Sequence, residues 1–144
     1  MGWFSSKKKE PEINQPQDMS PMEAVTHLCA SIQLADGQAD MEERYSWVNA
    51  ISELFPEFSE ERADRFLTEA YTVLNQKAAH DKLNYIMDVL NRIKSLLNDK
   101  QLQTLGPKIV ELIEADGIVM TSEMEIAGLV ESQLGIKLVI NEDL

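Results

Sequence analysis

Between residues 20 and 134 apolar residues recur three and four positions apart, and short polar turns cut the pattern into runs of helix length. Such spacing lines one side of an α-helix, whereas a half-buried strand alternates at every second residue. The chain therefore reads as all-α: a single compact bundle of six to seven helices at residues 20–144, behind a flexible tail at residues 1–19. With 144 residues and 44% apolar content it is long enough to bury one core.

Each run carries its own start and stop signals. Ser20 is placed to cap the first helix, Pro21 takes its first position and Glu23 closes a capping box. Met22, Val25, Leu28 or Cys29, and Ile32 form the stripe expected to face inward, and Gly37 stops the helix after Asp36. A second helix starts at Asp40 and ends before Pro56, with Tyr45, Trp47, Val48, Ile51 and Leu54 on its inner face. Ser59 caps a third, whose apolar side is Phe66, Ala70, Val73 and Leu74. A fourth runs from near His80 to Leu97, with Leu83, Ile86, Met87, Leu90, Ile93 and Leu97 at helical spacing. In the fifth, which begins after Asn98 and reaches Ala115, Gly106-Pro107 predicts a kink or a break. The sixth spans about Ser122 to Leu134 and stops at Gly135. The closing IKLVINEDL alternates, but a lone strand has no partner, so it reads as an extended tail laying Ile136, Leu138 and Ile140 on the bundle.

A shift of eighty positions lays LADGQADMEE on EADGIVMTSE. Ala35-Asp36-Gly37 falls on Ala115-Asp116-Gly117 and Glu43 on Glu123, so a helix, Asp-Gly turn, helix unit occurs twice. Charge follows this division. Residues 21–58 hold seven acids and one base, residues 109–144 eight acids and one base, and residues 59–108 seven acids and eight bases. Helix punctuation explains Gly37 and Gly117, the Asp40–Glu43 capping box, and Glu123 in a first turn, where an acid suits the helix dipole. It explains Asp36 and Asp116 less well, because they sit at helix carboxyl ends, where Lys or Arg is preferred. Two readings stay open. The acids are structural, or the turns bind a divalent cation such as Ca²⁺, Mg²⁺ or Mn²⁺ through Asp36, Asp40, Glu43, Asp116 and Glu123. The loops are not EF-hands, since Gly directly follows the first Asp.

The doubled Ala-Asp-Gly turn with a Glu seven residues on, in an acidic all-α domain, resembles the tellurite-resistance TerB family over about residues 20–136. IVELIEADGIVMTSEMEIAGLVESQLGI is similar to that family's closing segment. The resemblance implies a helical bundle with an acidic patch that binds metal cations. It also implies a non-catalytic role in resistance to tellurite and other stresses, at the cytoplasmic face of the membrane and with partner proteins. The implied ligands are Asp36, Asp116, Glu43 and Glu123. Asp40 belongs to the first copy only, because Met120 stands in its place in the second.

The formal net charge of −12 argues against unaided nucleic-acid binding and favours cations or basic partners. The alternative function is accordingly a protein-interaction adaptor whose acidic faces dock a basic partner without metal. No apolar run reaches the ~20 residues of a membrane helix, and no secretory signal opens the sequence. Trp3 and Phe4 beside Lys7, Lys8 and Lys9 suit a weak peripheral membrane contact, although a plain tail is the preferred reading of this stretch. The lone Cys29 forms no internal disulfide, which fits a cytoplasmic setting. An enzyme is not expected. There is no Glu-x-x-His pair of the di-iron type, Glu23 and His27 being four apart, and no phosphate-cradling Gly-rich loop. His27 reads as a helix-face residue and His80 as lying near a helix start.

Overall fold

The computed structural model describes residues 13–35, 47–48, 51–56, 58–114 and 121–140. A 3₁₀ turn at Pro16–Asp18 leads into α1 (Pro21–Ala35). Helical residues 47–48 and 51–54 belong to α2. They are followed by α3 (Glu60–Asn75), α4 (Ala79–Leu96), α5 (Asp99–Glu114) and α6 (Thr121–Leu134). The fold is all-α, and the described residues contain no strand.

The helix starts follow the local chemistry. Ser20 Oγ accepts from the Glu23 backbone N–H at 3.2 Å, while Glu23 Oε1 accepts from the Ser20 N–H at 3.2 Å, so the expected capping box is closed in both directions. Ser59 Oγ accepts from the Arg62 N–H at 3.1 Å. A further reciprocal box, which the sequence reading passed over, joins Asn98 and Gln101 at 3.0 and 2.8 Å and starts α5. Gly135 ends α6 with φ +69°, the left-handed conformation that glycine adopts without a Cβ clash. Its replacement by Ala should cost about 1 kcal/mol, from that clash alone, since nothing lies within 4 Å of the added Cβ. Urea denaturation checks this, and an unchanged midpoint would mean that the turn relaxes.

α1 packs against α3, α4, α5 and α6. The sequence reading gives this helix one inward stripe, whereas every residue from Met22 to Gln33 is buried. The reason lies in its composition. Glu23 is its one acid and it has no Lys or Arg, so it has no charged face to turn to solvent. Its short polar side chains are satisfied locally, Thr26 Oγ1 donating to the Met22 carbonyl at 2.7 Å and Ser31 Oγ to the His27 carbonyl at 2.9 Å.

Elsewhere the faces are close to expectation. Trp47, Ile51 and Leu54 of α2 are buried, as are Phe66, Ala70 and Leu74 of α3. On α4 the buried face is Tyr85, Ile86, Val89, Leu90 and Ile93, so it is rotated from the expected one: Leu83 is exposed and Met87 half-buried. A kink or a break is expected at Gly106-Pro107, and of the two a break does not occur, since α5 continues through Pro107. Proline removes one backbone donor, but the residue before it is Gly106, which packs beneath Ile136 and Leu138 rather than marking a turn. Leu138 is buried and Ile136 and Ile140 are partly so, placing the extended segment after α6 against the core. At the other end Pro16 and Met19 are also buried. Arg92 Nε donates to the Met19 carbonyl at 2.9 Å and ties the segment before α1 to α4.

Candidate functional site

Glu23 and His27 lie one turn apart on α1, and residues at i and i+4 share a helix face. Both are buried, Glu23 at 4% and His27 at 0% exposure. α3 brings Glu69 over that face. A carboxylate oxygen of Glu23, a carboxylate oxygen of Glu69 and a ring nitrogen of His27 all lie within 4.8 Å of one another. α4 adds Tyr85, whose hydroxyl is 2.7 Å from His27 Nδ1. The other ring nitrogen, Nε2, is buried and has no hydrogen-bond partner among the described residues.

The group is anchored unequally. The Glu23 carboxylate accepts from the Ser20 N–H and from Asn14 Nδ2, the latter at 3.2 Å to Oε1 and 3.1 Å to Oε2. Asn14 is exposed and Glu69 half-buried, so the group reaches from the interior to the surface. Tyr85 and His27 also meet as tilted rings, 5.9 Å between centroids.

The electrostatics follow from burial and from like charges. Burial lowers the His27 pKa to about 4, so the imidazole is neutral at pH 7 and keeps a lone pair. Glu69 is raised, first by burial and then by the neighbouring Glu23, with Arg65 pulling the other way. Tyr85 is raised by burial and then by Glu23 and Glu69, so its hydroxyl stays protonated. Two carboxylates and a neutral imidazole form a three-donor metal-ligand set. Burial pushes the Cys29 thiol on the same helix up to about 12, so it stays protonated at neutral pH.

Of the residues that the sequence reading put forward as ligands, Asp36, Asp40, Glu43 and Asp116 lie outside the described residues, as do Gly37, Gly117 and the Trp3, Phe4, Lys7, Lys8 and Lys9 cluster. Glu123 is described. It is buried at 1% in the first turn of α6 and is not a member of the Glu23–His27–Glu69 group. Sequence reasoning misses that group because Glu23 reads as a cap and His27 as a helix-face residue. The available signal was the i, i+4 pair of an acid and an imidazole in a helix with no other acid and no base. The third member, Glu69, comes from another helix and leaves no mark in local spacing. Among the described residues no helix is long and apolar enough to cross a membrane. No protein-family model, curated protein or solved structure matches this chain.

Proposed function

We propose that this chain is a non-enzymatic helical module of TerB-like type that binds a divalent cation and serves stress resistance at the cytoplasmic face of a membrane. The observation that carries the cation reading is the convergence of Glu23, His27 and Glu69 within 4.8 Å. The excess of acids at both ends of the domain supports it, as does the all-α architecture. The TerB-like assignment and its stress setting rest on the doubled Asp-Gly turn.

The test is thermal unfolding of metal-stripped protein with and without Ca²⁺, Mg²⁺, Mn²⁺ and Zn²⁺. A ligand at one hundred times its dissociation constant stabilises the native state by about 2.7 kcal/mol, which raises the midpoint by several degrees in a domain of this size. A rise with at least one cation is expected. Glu69→Gln and the double variant Asp36→Asn, Asp116→Asn then locate the binding. Loss in the first places the ion between α1 and α3, and loss in the second places it at the Asp-Gly turns. If no cation moves the midpoint, the cation reading fails. The lopsided charge then favours the second function, an adaptor whose acidic faces dock a basic partner.

A further inference from the structure

We propose that the centre between α1 and α3 takes a transition ion of the zinc class, held by His27 nitrogen together with Glu23 and Glu69 oxygens, in preference to Ca²⁺ or Mg²⁺. The inference rests on the cation reading above and names the ion chemistry of that same site.

The donor set argues for this class. Ca²⁺ takes six to eight oxygens and Mg²⁺ a near-ideal octahedron of oxygens, usually with several waters. An imidazole in the ligand set suits neither, whereas Zn²⁺ binds imidazole and carboxylate together, and Mn²⁺ binds such sites more weakly. Metal-bound imidazoles use one nitrogen for the ion while the other is hydrogen-bonded to a fixed partner. Here Tyr85 engages Nδ1 at 2.7 Å, and Nε2 is buried without a partner among the described residues. A buried polar nitrogen with no partner carries a desolvation cost, and an ion would remove it.

The bland alternative is a polar cluster held by its own hydrogen bonds. Among the described residues no hydrogen bond joins His27 to either carboxylate, and carboxylate oxygens of Glu23 and Glu69 stand within 4.8 Å of one another, where like charges repel. A cation reverses that repulsion. Donors around Zn²⁺ stand roughly 3–3.5 Å apart, given bonds of about 2.0–2.2 Å, so separations of up to 4.8 Å must contract on binding. The half-buried Glu69 side chain is the member able to move, because Glu23 is fixed by Ser20 and Asn14.

The experiment uses the full chain stripped of metal. Zn²⁺, Mn²⁺, Ca²⁺ and Mg²⁺ are titrated by calorimetry, and the imidazole nitrogens of the two histidines are followed by NMR. His80 is exposed and serves as the internal control. Zn²⁺ should bind most tightly and shift the His27 resonances while leaving His80 in place. Glu69→Gln, at a half-buried position that should keep the fold, should weaken Zn²⁺ binding by roughly tenfold or more. Tyr85→Phe, which removes the partner of Nδ1, should weaken it by about tenfold. If Ca²⁺ or Mg²⁺ binds as tightly as Zn²⁺, or if Zn²⁺ shifts His80 alone, the zinc-class inference is overturned while cation binding stands. If none of the four ions binds, both fall.

Discussion

Leu28→Ala should lower the free energy of unfolding by about 3 kcal/mol, within the 2–5 kcal/mol range for large-to-small changes in well-packed cores. The expectation follows from where α1 sits. Leu28 has 0% exposure, and the helix that carries it packs against α3, α4, α5 and α6. A cavity there has neighbours on all sides that are already committed to other contacts, so little collapse can fill it. Leu83→Ala on α4 is the internal comparison. The residue type is the same, but Leu83 is 38% exposed and little cavity forms, so the cost should stay below about 1 kcal/mol. Urea denaturation of both variants gives the contrast directly. Equal costs would mean that α1 is not the centre of the bundle. A loss of about 3 kcal/mol matters in a domain whose total stability is about 5–15 kcal/mol.

The same centrality explains what could be read from the chain and what could not. Helix positions were legible because caps are local. Ser20 with Glu23 and Ser59 announce their helices, and both make the predicted bonds. The stop at Gly135 was equally local. Which side of a helix is buried is a tertiary property, and the errors gather there. Leu83 fits the apolar period of α4 yet is exposed, while Tyr85, two positions on, is buried and holds His27. Periodicity predicted a stripe on α1 because that method assumes a solvent side, and a helix surrounded on all faces has none. Gly106-Pro107 shows the same limit: a proline rule states only the local cost, whereas α5 continues through Pro107 and Gly106 packs beneath the segment after α6, which belongs to the whole fold. The centre itself was half legible. Glu23 and His27 are four apart on one helix, but Glu69 joins them only once α3 is folded against α1.

Between pH 7 and pH 5 the metal-stripped protein should lose about 2 kcal/mol of stability through His27 alone. The folded pKa is lowered from 6.5 to about 4 by burial. Over that window the unfolded chain takes up a proton that the native state refuses. The contribution is fully present above pH 6.5, falls as the pH drops towards about 4, and is flat below. Glu69 acts in the opposite direction at the acid end, because its raised pKa lets the native state bind a proton before the unfolded chain does. The clean window is therefore above the carboxylate range. Wild type and His27→Gln are compared by urea denaturation at pH 7 and pH 5, and the difference of differences isolates the imidazole. The sign decides between two pictures of the centre. If Glu23 and Glu69 held an imidazolium, the folded pKa would lie above 6.5 and acid would stabilise the wild type relative to the variant. If burial dominates, acid destabilises it, and the pocket at neutral pH contains two acids and a neutral lone-pair donor. That charge state is the one a divalent cation needs, so the same titration that reports on stability also fixes whether the site is ready for an ion before the ion arrives.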